Sequence, residues 1–254
     1  MNRRSFVSGM VAASAATRFA TGPAFAAGVT ARNVVLVHGL YADGSCWLDV
    51  IGRLQAAGLN PTAVQNPLTT LDEAVAETRR VIALQDGPTV LVGHSFGGTI
   101  ISEAGNDPKI SALVFVAARA PDAGEDYAAL AKRYPAGPAS AGLVFDGDIG
   151  RLSEEAFLRD FAGDLPTARA RALYATQQPF HRALITTPTT QAAWRTKPNF
   201  YAVSRNDRTI NPDLERFMAK RIGAQTIELD SSHVSMLSHP GEISDLIVRA
   251  AKAG

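Results

Sequence analysis

A serine at the centre of a glycine-rich turn is the feature of this sequence most suited to covalent chemistry. Residues 90–97 read Val-Leu-Val-Gly-His-Ser-Phe-Gly, so an apolar, β-branched run ends in G-x-S-x-G with Ser95 in the middle. This spacing exposes a serine Oγ on a sharp strand-to-helix turn, and the glycines avoid collisions with the neighbouring strand and helix. The pattern predicts that Ser95 is a nucleophile.

A serine hydroxyl needs a general base, and the base needs an acid that orients it. Asp207 directly follows the apolar run at residues 200–203, and His233 comes soon after the run at residues 226–229. The carboxyl ends of parallel strands meet at one edge of a sheet, where ligands bind. We therefore expect Ser95, Asp207 and His233 to form a catalytic triad.

The other histidines suit this role less well. His38 ends the first predicted strand and is interpreted as ordering the loop that follows. His94 lies inside the turn, cannot reach back to the serine, and is interpreted as structural. His239 precedes a proline and is interpreted as a surface cap. His181 lies in the predicted cap, where it is a candidate substrate contact, although a solvated or packed histidine is the favoured interpretation.

Two other acids compete with Asp207. Asp230 is three residues from His233, and Asp122 follows the strand predicted at residues 113–118. Asp207 is preferred because it comes directly after a strand and lies in a turn ahead of a helix.

Backbone N–H groups must stabilise the negative charge that develops on the attacked carbonyl oxygen. The amide of Phe96, directly after the nucleophile, is one candidate donor. Leu40, in the loop after the first strand, is the second, with Tyr41 as its alternative.

Alternating patterns of strand and helix surround these residues. Apolar runs predict buried strands at residues 34–37, 90–92, 113–118 and 200–203. Two further strands are predicted at residues 62–64 and 226–229. Amphipathic helical patterns lie between them. Helix caps are predicted at Ser45, at Thr70 in a capping box with Glu73, and at Asn211 ahead of Pro212. This order predicts the α/β class, with a mostly parallel central sheet and flanking helices.

The rhythm stops between about residues 122 and 198, where prolines and short helical patterns replace long strands. A hairpin turn is predicted within this segment at Asp146-Gly147. The segment keeps many large apolar side chains, so it is predicted to be an inserted, mainly helical cap rather than a disordered linker. Tyr41, His181 and Trp194 are candidate substrate contacts.

The first 26 residues are predicted to be a signal peptide. Arg3 and Arg4 precede a short, weakly apolar stretch, and residues 24–26, Ala-Phe-Ala, have the small-x-small pattern of a cleavage site. The apolar stretch is too short for a permanent membrane anchor. We expect export by the twin-arginine route to the periplasm or the medium, leaving residues 27–254 as one domain.

Composition limits the classes of partner and cofactor. The chain has 254 residues, of which 46% are hydrophobic and 19% charged, as in ordinary globular proteins. A formal net charge of +1 gives no reason to expect nucleic acid as a partner. The lone Cys46 cannot form an internal disulfide, and no Cys/His spacing suggests a metal site.

Four segments together resemble the α/β-hydrolase superfamily, and more closely its small esterases, a branch that includes plant methylesterases and hydroxynitrile lyases. These segments are residues 35–39, 90–98, 204–207 and 232–237. The resemblance covers nearly all of the chain after residue 26, with the cap as its weakest part. It implies a serine hydrolase without a cofactor and with a cap-covered apolar pocket.

Ester hydrolysis through an acyl-enzyme intermediate is the function that these residues favour, with a small-molecule ester as substrate. A cyanohydrin-type lyase, an amidase and a non-catalytic binding protein remain alternatives on the same scaffold. In the lyases that the sequence resembles, a lysine follows the catalytic histidine, whereas Val234 follows His233 here. The sequence does not indicate the oligomeric state or the natural ester.

Overall fold

The structure is a computed structural model that describes residues 30–253. The expected signal peptide, residues 1–26, lies outside the described residues. Within residues 30–253, no helix is both long enough and apolar enough to cross a membrane.

A twisted parallel sheet forms the centre of the described chain. Its strands, in chain order, are β1 (Asn33–Val37), β2 (Asn60–Ala63), β3 (Thr89–His94), β4 (Ile110–Val116), β8 (Asn199–Ser204) and β9 (Gln225–Leu229). In space, the six strands of residues 30–253 that form it are ordered β2-β1-β3-β4-β8-β9, and all neighbours are parallel. The predicted α/β class is confirmed.

The sequence of the central strands explains their position. Every residue of β1, β3 and β8 is buried, as expected for β-branched and apolar runs covered on both faces. In β4 the extended conformation ends at Val116, two residues earlier than predicted, because Ala117 has a φ of 43°. The chain therefore turns away directly beside the end of β3.

Helices pack against the strands of the sheet. They are α1 (Leu48–Ala56), α2 (Leu71–Ala83), α3 (Gly97–Ala104), α7 (Pro212–Arg221) and α9 (Pro240–Ala253), and α8 (Ser235–Ser238) packs against α1 and α9. Three shorter helices, α4 (Tyr127–Ala131), α5 (Glu154–Ala156) and α6 (Thr167–Ala175), belong to the segment between β4 and β8. The N-terminus of α2 has the predicted capping box, in which Thr70 Oγ1 accepts the Glu73 N–H at 3.2 Å. Asn211 caps α7 ahead of Pro212, also as predicted.

One predicted cap is wrong. Ser45 does not cap α1, because a 3₁₀ turn at Gly44–Trp47 precedes that helix. Asp43 caps this turn instead, and its carboxylate accepts the Ser45 N–H at 2.8 Å.

The segment between β4 and β8 contains α4, α5 and α6 together with a small antiparallel sheet. The strands of that sheet are β5 (Leu143–Asp146), β6 (Ile149–Leu152) and β7 (Phe180–His181). The predicted turn at Asp146-Gly147 joins β5 to β6, and Gly147 has the positive φ of 57° that such a hairpin requires.

Candidate active site

The turn between β3 and α3 holds Ser95 in a strained conformation. Ser95 has a φ of 54°, which is uncommon for a residue with a side chain and is found at functional turns. Its N–H donates to Val116 O at 3.1 Å, and its carbonyl accepts the amides of Gly98 and Arg119, each at 3.0 Å. These bonds attach the serine backbone to β4 and to the loop after it.

Two glycines of the turn are required by close packing. A Cβ on Gly93 would lie 2.6 Å from Gly97 O, and a Cβ on Gly98 would overlap Arg119 O. Any larger residue at either position would push β3 and α3 apart, or α3 away from the loop after β4. The predicted reason for the glycines therefore holds in the structure.

His233 and Asp207 are in direct contact at the carboxyl edge of the sheet. His233 lies between β9 and α8, Asp207 follows β8, and His233 Nδ1 is 2.5 Å from Asp207 Oδ2. The other carboxylate oxygen, Oδ1, accepts the amides of Thr209 at 2.6 Å and Ile210 at 3.0 Å. These amides fix the carboxylate so that Oδ2 faces the imidazole.

The second ring nitrogen of His233 is available for a proton. His233 is wholly buried, and its Nε2 has no hydrogen-bond partner in the part of the chain that the structure describes. With Nδ1 directed at a carboxylate, the tautomer that protonates Nδ1 leaves Nε2 as an acceptor. The imidazole is thus prepared to act as a base.

His94 supports the loop that carries His233. The two rings lie 4.7 Å apart between centroids, and His94 Nε2 is 2.9 Å from His233 O. Burial lowers the pKa of His94 well below its usual value, and the neighbouring His233 acts in the same direction. Neutral His94 therefore donates its Nε2–H to that carbonyl, consistent with its predicted structural role.

The two alternative acids are engaged elsewhere. Asp122 Oδ1 accepts the Arg195 Nε–H at 2.9 Å, and Asp230 lies 3.3 Å from Arg205 Nη1. Asp230 is largely exposed, with a side-chain exposure of 72%.

Glu215 is an acid that sequence reasoning missed. It is wholly buried on α7, and its Oε2 accepts the Ser204 N–H at 3.1 Å, three residues before Asp207. Burial raises the pKa of Glu215 well above its usual range, and the negative charge of Asp207 raises it further. This raised pKa favours the protonated form of the Glu215 carboxyl group, which lies behind the Asp207 loop. Its position in a polar helical sequence carries no signal of this burial.

The loop after β1 approaches the serine turn closely. A Cβ on Gly39 would lie 2.6 Å from Ser95 Cβ and 3.2 Å from Phe96 N, so only glycine allows this approach. Among residues 30–253, the N–H groups of Leu40 and Phe96 donate to no acceptor. His38 Nδ1 lies 2.9 Å from Gly39 O, which agrees with the predicted ordering of this loop.

A cavity of about 290 Å³ opens onto Ser95. Its floor includes Leu40 and Tyr41 from the loop after β1, and much of its wall comes from the segment between β4 and β8. Most of the lining is apolar. Arg119, in the loop after β4, also lines it and was not predicted from the sequence.

Of the three candidate substrate contacts, Tyr41 lines this cavity and the other two do not. His181 Nδ1 accepts the Ala183 N–H at 3.2 Å, which caps a 3₁₀ turn. Trp194 Nε1 donates to Pro121 O at 2.8 Å, which anchors the loop leading to α4. Both rings make local contacts outside this cavity, and the expectation that His181 and Trp194 contact substrate stays a prediction.

No group of three or more His, Cys, Asp or Glu in residues 30–253 is arranged to hold a metal ion. Cys46 is buried, and burial raises the pKa of its thiol well above the usual value.

Comparison with known families and sequences identifies relatives. The model of the alpha/beta hydrolase family matches residues 34–246. An esterase from rice (Oryza sativa subsp. japonica), PIR7B, is 24% identical over 87% of this chain and 96% of its own. Methylesterase 7 from Arabidopsis thaliana is 36% identical, over 36% of this chain and 41% of its own.

Solved structures show the same fold. The crystal structure of polyneuridine aldehyde esterase superposes with a TM-score of 0.75, covering 86% of this chain and 98% of that one at 19% identity.

Proposed function

The chain belongs to the alpha/beta hydrolase family, and on that premise we propose that it hydrolyses carboxylic esters through an acyl-enzyme intermediate. The contact between His233 Nδ1 and Asp207 Oδ2 carries the proposal, because it supplies an oriented base at the sheet edge where Ser95 also lies. The esterases and methylesterases among the relatives support the same reaction.

The proposed first step acylates the serine. Ser95 Oγ attacks the acyl carbon while His233 Nε2 takes the hydroxyl proton. The N–H groups of Leu40 and Phe96 stabilise the oxyanion of the tetrahedral intermediate. The intermediate collapses, His233 returns its proton to the leaving alcohol, and the acyl group remains on Ser95.

The second step releases the acid. A water molecule attacks the acyl carbon as His233 Nε2 accepts its proton, and the Ser95–acyl bond breaks with the proton returned to Ser95. Asp207 stabilises the imidazolium that forms in both steps and keeps the ring in the tautomer that leaves Nε2 free.

Ester hydrolysis is preferred to cyanohydrin cleavage because no charge follows the histidine. Val234 is buried and apolar, so it offers no cation to stabilise a departing cyanide. The activity of the protein and of its variants should therefore be measured with short-chain aryl esters.

The test compares two variants with a serine control. Ser95→Ala and His233→Ala should each lower kcat about a million-fold, as in serine proteases whose triad is broken. Ser111→Ala, at the opposite end of β4, should keep the wild-type kcat. Near-normal turnover by folded Ser95→Ala would overturn the proposal.

We also propose that the protein is exported through the twin-arginine route and acts outside the cytoplasm. The support is the sequence of the first 26 residues, with Arg3 and Arg4 ahead of an apolar stretch and a small-x-small site.

A further inference from the structure

Arg119 brings a positive charge into the cavity beside Ser95. Its N–H donates to Ser95 O at 3.0 Å, so the residue is attached directly to the serine turn. Arg119 is also one of the residues that line the same cavity as Ser95. A cation in a mostly apolar cavity is costly unless something compensates it.

No carboxylate of the described chain compensates this cation. Within residues 30–253, no Asp or Glu forms an ion pair with Arg119, and the ionisable side chains that act on it are those of Tyr127 and Tyr41. No acidic residue lines the cavity. Arg221, another partly buried arginine, shows the usual arrangement, because its guanidinium meets Glu125 at 2.6 Å. The guanidinium of Arg119 lacks such a partner.

The guanidinium is nevertheless held in a defined position. It lies 4.5 Å from the ring centroid of Tyr127 and 5.4 Å from that of Phe96, both within the range of cation–π contacts. Nη1 donates to Leu184 O at 3.2 Å. In the described part of the chain the remaining donors meet no acceptor, and none of these nitrogens is fully buried.

A second cation reinforces the positive character of the cavity. Lys132, after α4, also lines it and is exposed to solvent. An apolar cavity with an inner guanidinium, an outer ammonium and no acid attracts ligands that are apolar over most of their surface and negative at one end.

We propose that Arg119 determines substrate specificity by binding a carboxylate carried on the ester, so that the preferred substrates are apolar esters with one free acid group. This inference rests on the proposed esterase function. The planar guanidinium matches a carboxylate with two parallel N–H donors. The neutral end of the substrate would then place its ester group at Ser95.

The test uses matched pairs of esters. Monomethyl esters of straight-chain dicarboxylic acids, from succinate to suberate, are each compared with the corresponding monoamide, which has the same shape without the charge. For at least one chain length, wild-type kcat/KM should favour the carboxylate by about tenfold or more, the worth of a hydrogen bond to a charged group. Acid release in a pH-stat gives the rates.

Variants separate a binding role from a packing role. Arg119→Met and Arg119→Gln should abolish the preference for the carboxylate, whereas Arg119→Lys should keep part of it. The control Arg133→Met removes an exposed guanidinium outside the cavity and should keep the wild-type preference. A packing role alone would slow both members of a pair equally and leave their ratio unchanged.

Two results would overturn this inference: equal wild-type kcat/KM for every carboxylate–amide pair, or an undiminished preference in folded Arg119→Met or Arg119→Gln. If neither member of a pair is hydrolysed, the short-chain aryl esters decide whether the proposed esterase function fails, and ligand binding tests the role of Arg119 separately. Calorimetry on Ser95→Ala should then show tighter binding of the half-ester than of its amide. Equal binding would reject the role of Arg119.

Discussion

Asp207 is distinguished from the competing acids by what surrounds its carboxylate. Two backbone amides hold one oxygen, and the other faces His233 Nδ1 at 2.5 Å. Asp122 and Asp230 instead face arginines. The orienting role therefore falls to Asp207 on geometry as well as on its place after β8.

Replacing Asp207 with asparagine should lower kcat roughly ten-thousand-fold, because the amide favours the wrong imidazole tautomer. Asp122→Asn and Asp230→Asn serve as matched controls and should stay near wild-type turnover in the same aryl-ester assay. The assignment is wrong if Asp207→Asn remains active while either control loses activity.

Glu215 should make the stability of the protein depend on pH. Because burial raises its pKa in the folded state, the folded protein keeps this proton at pH values where the unfolded chain has lost it. The stability that this proton contributes is present below the usual carboxyl range and is lost as the pH rises through the raised pKa. Glu215→Gln retains an acceptor for the Ser204 N–H without a titratable group.

We therefore expect the free energy of unfolding of Glu215→Gln to fall less with rising pH than that of the wild type. Urea denaturation from mildly acidic to alkaline pH measures the two slopes. Parallel slopes for the two proteins would contradict a proton held on Glu215.

At the scale of elements, the serine turn depends on how closely α3 approaches the loop after β4. Gly98 lies in the first turn of α3, where an added Cβ would overlap Arg119 O and lie 2.9 Å from Ala118 Cβ. Gly52, in α1, has open space around the same position.

Gly98→Ala should lower the free energy of unfolding by about 1–3 kcal/mol, the usual cost of overpacking. Gly52→Ala should instead raise it by about 0.5–1 kcal/mol, because alanine is the better helix former. Denaturant titration of both variants checks the contrast. An unchanged free energy of unfolding in Gly98→Ala would mean that the fold tolerates a wider separation between α3 and the loop after β4.

Local chemistry determined which elements could be predicted from the sequence. The capping box of α2 and the Asn-Pro start of α7 were predictable because each depends on residues within one turn. The start of α1 was not predictable, because Asp43 and Ser45 are both good cap residues and the 3₁₀ turn at Gly44–Trp47, which includes Ser45, is capped by Asp43. The small sheet was missed in part because β7 has two residues and pairs with a strand about thirty residues earlier.

At the scale of the whole molecule, the strand order brings together residues that are distant in the chain. Ser95, Asp207 and His233 were identifiable because each follows an apolar strand, and parallel strands share one carboxyl edge. The cavity wall was not predictable in the same way. The Arg119 guanidinium packs on the Tyr127 ring because of the course of the loop after β4 and of the short helix α4. Neither segment has a hydrophobic periodicity from which that course could be predicted.

We expect export of the protein to depend on Arg3 and Arg4. Replacing both with lysine should leave the unprocessed precursor in the cytoplasm, because the export receptor reads the guanidinium pair. Cell fractionation and N-terminal sequencing of the exported wild type, expected to begin near Ala27, provide the measurement. Normal processing of the lysine variant would indicate a different route.

Covalent labelling of the whole protein tests the central claim, that Ser95 is the nucleophile, most directly. A fluorophosphonate that mimics the tetrahedral intermediate is incubated with the enzyme, and the modified peptide is identified by mass spectrometry. We predict one equivalent of label on Ser95, loss of ester hydrolysis in step with labelling, and much slower labelling of His233→Ala. Complete inactivation with Ser95 unmodified, or full activity with Ser95 labelled, would contradict the account.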